Sequence, residues 1–193
     1  MKISQMSVRA LAPWGSGLTV LLIGAWWLFG GSHSEAERIA RDLKSEDPSL
    51  RYSAAKDLSE LGYNASPAVD ALGEALHDSD EKVRYRAAKA LSKIGRNAGS
   101  VVDDLAIGLT DSNEDTRYYV AKTFSHLGPE AAGAVDALAL ALEDSHPEVR
   151  FYAAKTLRDL GELAQPAAPQ LAKAAKDKDP KVRDEAKLAL QEL

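Results

Sequence analysis

Residues 80–95 read DEKVRYRAAKALSKIG, and the same text returns along the chain at a fixed step. It stands as DPSLRYSAAKDLSELG at 47–62, NEDTRYYVAKTFSHLG at 113–128 and HPEVRFYAAKTLRDLG at 146–161, and in shortened form as DPKVRDEAKLALQEL at 179–193. Arg51, Arg84, Arg117, Arg150 and Arg183 are therefore each 33 residues apart, with no insertion between copies. A period of this length marks one supersecondary unit stacked on itself, each copy burying its apolar face against the next. Six residues before each arginine stands Ser45, Asp78, Asp111, Asp144 or Asp177, so only the first copy lacks the acid.

Each copy reads as two helices. The first begins at Asp47, Asp80, Asn113, His146 or Asp179. Asp and Asn accept from the free N–H groups of a helix start, and His146 departs from that pattern. The next residue is Pro48, Glu81, Glu114, Pro147 or Pro180. Proline is tolerated at a first helical position, and glutamate complements the helix dipole. Leu50, Ala54, Leu58 and Leu61 are spaced four, four and three apart, as are Val83, Ala87, Leu91 and Ile94. That spacing is one face of a helix and predicts a buried stripe.

Gly62, Gly95, Gly128 and Gly161 end these helices, with a left-handed cap expected at each. The second helix carries Val69, Leu72 and Leu76, then Val102, Leu105 and Leu109, then Val135, Leu138 and Leu142. The lighter set Ala168, Leu171 and Ala175 follows in the fourth copy. Residues 35–44 align with the second helix, Ile39 matching Leu72 and Leu43 matching Leu76, and read as a half repeat closing one end. Residues 180–193 form a last helix of the first type, with Asp184 in place of an aromatic. The expected division is a segment 1–34, then a repeat array 35–193 cut as 35–44, 45–77, 78–110, 111–143, 144–176 and 177–193.

The Asp column, the VR pair and the AAK-L-LG run together resemble HEAT repeats, of the short kind found in phycobilisome lyase-type proteins, over residues 35–193. The resemblance implies an all-α fold, an armadillo/HEAT-type α-solenoid in which antiparallel helix pairs wind into a superhelix. It implies that the arginine and aspartate columns form hydrogen-bonded ladders between adjacent repeats. It also implies that the second helices line the inner surface. It implies no particular chemistry, because the scaffold hosts many functions.

Ahead of the repeats, residues 11–31 are largely apolar, and no acid, lysine or arginine occurs between Arg9 and Glu35. A helix of 21 residues extends about 32 Å, against a hydrocarbon layer of about 30 Å. Trp14, Trp26 and Trp27 sit where interfacial aromatics are expected. One N-terminal transmembrane helix acting as a signal anchor is the first reading. Lys2 and Arg9 before it place the N-terminus in the cytoplasm and the solenoid outside, by the positive-inside bias. A cleaved signal peptide is the alternative: residues 18–29 fit an h-region and Ser32-His33-Ser34 a small-x-small site, leaving a secreted or periplasmic protein.

Two of the 24 basic residues, Lys2 and Arg9, precede residue 34, and none of the 29 acidic ones does. The remainder therefore holds 22 basic and 29 acidic residues, a net charge of −7. A nucleic-acid partner, which needs a basic surface to displace counterions from phosphates, is not expected. The absence of cysteine excludes disulfides, thiol catalysis and cysteine-ligated zinc. His33, His77, His126 and His146 form no metal-ligand spacing, and HEAT enzymes that hold iron, the deoxyhypusine hydroxylases, use His-Glu motifs absent here. No catalytic residue, cofactor or metal is expected, and the chain is not read as an enzyme.

Two surfaces are candidates for a protein partner. Tyr52, Tyr85, Tyr118 and Phe151 follow the arginines, with Lys56, Lys89, Lys122 and Lys155 four residues later and Tyr119 and Tyr152 beside them. These aromatics either dock a partner or pack on one another and on lysine stems. On the second helices Asp70, Asp103, Asp104 and Asp136 stand beside the column Glu74, Ile107, Leu140 and Lys173. Ile107 and Leu140 either form an apolar patch rimmed by acids, suited to a basic amphipathic segment, or are covered by neighbouring helices. The functional expectation is a membrane-anchored extracytoplasmic HEAT-repeat scaffold mediating protein–protein interaction. The alternatives are a structural subunit of a larger membrane complex, or a lyase-type enzyme accessory.

Overall fold

The computed structural model describes residues 33–193. Residues 34–193 form one body, built from α1 (Glu35–Ala40), α2 (Pro48–Leu61), α3 (Val69–Glu74), α4 (Glu81–Ile94), α5 (Val102–Gly108), α6 (Glu114–Leu127), α7 (Val135–Ala141), α8 (Pro147–Leu160), α9 (Ala168–Ala174) and α10 (Pro180–Glu192). The fold is an all-α repeat solenoid. The long helices α2, α4, α6, α8 and α10 stack side by side in chain order, and the short helices α3, α5, α7 and α9 stack beside them. No helix among the described residues is long and apolar enough to cross a membrane, and the expected span, residues 11–31, lies outside them.

Each long helix starts where its cap residue stands. Asp47 accepts from Ser49 N–H at 2.8 Å, Asp80 from Lys82 at 2.7 Å, Asn113 from Thr116 at 2.9 Å and Asp179 from Lys181 at 2.8 Å. His146 makes no such bond, and α8 begins there on Pro147 alone. At α1 the starting signal is a capping box. Ser34 Oγ accepts from Glu37 N–H at 3.2 Å, and Glu37 accepts from Ser34 N–H at 2.7 Å.

The four terminal glycines are the only positive-φ residues described, at 58°, 70°, 67° and 54°. The expected left-handed cap is only half right. Gly62 pairs φ 58° with ψ −128°, outside the left-handed helical well and in a region open to glycine but not to L side chains. The chain then makes a 3-10 run, such as Gly62–Ala68 or Gly128–Ala134, before each short helix. The second helices are consequently only 6 or 7 residues of α-helix.

The core runs unbroken along the stack. Leu58, Leu91, Phe124 and Leu157 from the long helices meet Leu72, Leu105, Leu138 and Leu171 from the short ones, all fully buried. Alanine at 54, 87, 153 and 186, and again at 55, 88, 121 and 154, lets the long helices approach closely. Gly73 does the same between α3 and the next repeat, since a Cβ there would meet Val101 Cγ1 at 2.6 Å. One stripe residue was misplaced by periodicity. Leu50 is 50% exposed, whereas Val83, Thr116, Val149 and Val182 in its column are fully buried. Each of those four stands on a long helix that packs against a preceding long helix, and no described long helix precedes α2. Leu50 lies instead in an open cleft with Ile39, Ala54 and Leu61.

Candidate partner-binding surface

The arginine column is a ladder, and it crosses from each repeat to the next. Arg117 donates from Nη1 to the carbonyls of Asp111 at 2.8 Å and Ser112 at 3.3 Å in its own repeat. Its Nε and Nη2 grip Asp144 of the following repeat at 2.7 and 3.1 Å. Arg51 with Asp78, Arg84 with Asp111 and Arg150 with Asp177 repeat this arrangement. The planar guanidinium fork serves a carboxylate and two carbonyls at once, which an ammonium does not. Each aspartate also accepts from the N–H two residues on, as Asp144 does from His146 at 2.7 Å, fixing the turn into the next long helix. Burial pushes the Asp144 carboxyl up, but the bonds from Arg117 and His146 outweigh it and hold it below the usual carboxylate range. Arg183 keeps only its carbonyl partners, Asp177 at 2.8 Å and Lys178 at 3.0 Å. These columns are committed to cohesion between repeats.

The aromatics form a second ladder on the long helices. Tyr85 meets Tyr119 edge to face at 5.8 Å, Tyr118 meets Tyr119 at 4.9 Å and Tyr152 at 5.8 Å, and Phe151 meets Tyr152 at 5.1 Å. Arg86 continues it, lying over Tyr85 and Tyr52 and donating to the Tyr52 hydroxyl at 2.9 Å. Lys89 sits over Tyr85 and Tyr119, and Lys122 over Tyr118. Burial works against the Lys89 charge, but the neighbouring Tyr119 and Tyr85 hydroxyls outweigh it and raise its pKa. Burial raises the Tyr119 and Tyr152 hydroxyls as well. Tyr85, Tyr118, Tyr119, Phe151 and Tyr152 are all half-buried by one another, so their faces already have partners.

The second-helix face is different. Ile107 on α5 is 57% exposed and Leu140 on α7 is 69% exposed, so neighbouring helices do not cover them. They lie on adjacent helices one repeat apart. Asp103 and Asp136 stand exposed one turn earlier on the same helices, and Asp70 takes the equivalent place on α3, accepting from Ser100 at 3.0 Å. Beyond Ile107 the column continues to Glu74, which pairs with Lys44 at 2.8 Å. Beyond Leu140 it continues to Lys173, which pairs with Glu143 at 3.1 Å. His77 meets Asp104 at 2.7 Å, a contact that the repeat frame did not reveal because it joins two columns that differ in every other copy. The result is a two-residue aliphatic patch in a mainly acidic field. Among the described residues no group of three His, Asp or Glu side chains is placed to hold a metal ion.

A family model described as HEAT repeats matches residues 37–107 and 102–191. An engineered protein of known crystal structure is similar with a TM-score of 0.69 at 23% identity, over 81% of this chain and 78% of that one. A designed armadillo repeat protein in complex with peptide (KR)4 gives 0.68 at 16% identity, over 90% and 84%. The complex of CpcE and CpcF of phycocyanin lyase from Nostoc sp. PCC7120 gives 0.62 at 26% identity, over 84% of this chain and 66% of that one. Among curated proteins, no sequence matches.

Proposed function

The chain belongs to the HEAT-repeat family, and on that premise we propose that it is a membrane-tethered scaffold whose second-helix face holds a protein partner. The observation that carries this reading is the exposure of Ile107 and Leu140 side by side within a row of aspartates. The ridge of aromatics and the arginine ladder are occupied by contacts within the protein, whereas these two side chains leave apolar area in water that a partner would cover. The partner is a protein segment carrying apolar anchors and basic residues. The designed armadillo repeat protein holds a basic peptide, which lends the proposal an example on a similar frame. The role is surface presentation, with no catalytic step.

Tethering rests on the apolar run 11–31, which is long enough to span a bilayer, and on Lys2 and Arg9 before it, which favour an extracytoplasmic solenoid. The test is purification of the full chain and of its Ile107→Asp/Leu140→Asp variant from native membranes. The same partner protein with both would remove the face from consideration. Mass spectrometry of the mature N-terminus decides the tether: a start near Glu35 means a cleaved signal peptide.

Two other readings stay testable. A structural subunit of a larger membrane complex would lose every partner on removal of residues 1–34 and keep them in the double variant. A lyase-type accessory, favoured by the likeness to the phycocyanin lyase complex, would change the pigment bound by a co-expressed phycobiliprotein.

A further inference from the structure

We propose that the segment held on this face is an amphipathic helix lying across the second helices, with two aliphatic anchors seven residues apart. It carries a basic residue seven places outside the anchor that meets Ile107 and an acidic residue seven places outside the anchor that meets Leu140. This deepens the partner reading above and rests on it.

The spacing follows from the repeat step. Ile107 and Leu140 occupy the same position on α5 and α7, which pack directly against each other. Packed helices lie about 8–10 Å apart. Seven residues of a crossing helix advance about 10.5 Å and complete nearly two turns, so two such side chains point the same way. A β-strand covers that distance in about three residues, which puts the two side chains on opposite faces. A polyproline helix also fits the distance, with same-side residues every three. It and the strand carry unpaired backbone groups that a binding surface must satisfy. Helices α3, α5 and α7 contain no Asn, Gln, Tyr, Trp or Phe, and α9 adds one half-buried amide, Gln170, so the face offers carboxylates but neither a row of amide donors nor an aromatic groove. A helix satisfies its own backbone and asks only for apolar cover and charge complementarity.

The polarity follows from the ends of the column. One repeat step before Ile107 the helix meets Glu74, and one step after Leu140 it meets Lys173. Both are now in exposed pairs, with Lys44 and Glu143, of a kind that contributes little and exchanges readily. Asp70, Asp103 and Asp136 lie four residues earlier on their helices, about 6 Å to one side. They favour lysine or arginine along one flank of the incoming helix, not both.

The experiment uses the full chain in detergent and fluorescence anisotropy of synthetic helical peptides. The matched peptide has leucines seven apart, lysine seven before the first and glutamate seven after the second. A second peptide has glutamate at both flanking positions, so that either direction of docking sets a glutamate against Glu74. A third is a proline-rich peptide with leucines three apart. The matched peptide should bind at least tenfold tighter than either control. Glu74→Lys should invert the preference between the first two peptides. Ile107→Asp with Leu140→Asp should weaken the matched peptide at least tenfold.

Equal affinity for the first two peptides, tighter binding of the proline-rich peptide, or no binding of the matched peptide overturns the helix proposal. The partner reading itself survives those outcomes if the aspartate double variant still loses its native partner. It falls as well if both the peptide and the native partner bind that variant undiminished.

Discussion

Replacing Arg117 by alanine removes one rung from the middle of the ladder, and the structure sets the cost. The substitution deletes two bonds to Asp144, at 2.7 and 3.1 Å, and two to the carbonyls of Asp111 and Ser112. The Asp144 carboxylate, whose side chain is 9% exposed, is left with His146 N–H and Ser145 as its remaining partners. An exposed ion pair contributes about 0–1 kcal/mol. Breaking a buried pair by removing one partner costs about 3–5 kcal/mol. The rung lies at the rim of the core, and its carboxylate keeps a backbone donor, so about 3 kcal/mol is expected. For a domain of this size about 1 kcal/mol moves the melting temperature by 2–4 °C, which gives a fall of roughly 6–12 °C.

Circular dichroism melts of the wild type, Arg117→Ala, Asp144→Ala and the double variant measure it. The two single losses should overlap strongly rather than add. Arg183→Ala is the internal control. It deletes only carbonyl bonds and should cost about 1 kcal/mol. A melting temperature lowered by Arg117→Ala no more than by Arg183→Ala would refute the argument that the cross-repeat carboxylate grip holds the stack together.

Other outcomes follow from the same contacts. The pKa of Asp78, Asp144 and Asp177 is held below the ordinary value, so their contribution is complete above about pH 4 and is lost as pH falls through their folded values. Asp144→Asn should therefore flatten the acid limb of a stability–pH curve, where pH falls below the ordinary carboxylate value of about 4. Gly73→Ala should destabilise by about 1–3 kcal/mol, because its Cβ would meet Val101 at 2.6 Å, while Gly133→Ala, with Val102 at 3.7 Å, should melt like the wild type. Tyr118→Ala breaks edge-to-face contacts with Tyr119 and Tyr152 and should cost about 2 kcal/mol in denaturant unfolding. Ile107→Asp and Leu140→Asp should each leave the melting temperature within about 2 °C of the wild type, since both side chains already face water.

The helical repeat was legible because burial imposes periodicity, and periodicity survives in a single chain. The 33-residue step located every long helix, the capping side chain of four of them and the terminal glycine of the first four. What escaped was what depends on a neighbour outside the repeat. Leu50 obeys the stripe, yet no described long helix precedes α2, so position in the array overrides position in the copy. The arginines were assigned a ladder, but the frame alone does not say that Asp144 answers Arg117 across the junction while Asp111 answers it only through its carbonyl. Arg86 and Lys93, which bond to Tyr52 and to the Ser59 carbonyl of the preceding repeat, are the only Arg and the only Lys in their columns. The candidate surface needed the structure for the same reason: whether Ile107 and Leu140 are covered is decided by adjoining helices, not by their own spacing.

Site-specific photocrosslinking in the native membrane tests the docking face most directly. A diazirine amino acid is placed in turn at Ile107, at Leu140, at Tyr118 on the aromatic ridge and at Glu130 on the 3-10 run Gly128–Ala134. A docking surface at α5 and α7 predicts one protein adduct shared by positions 107 and 140 and absent from 118 and 130. Adducts at Tyr118 alone, or equal yields at all four positions, would contradict it.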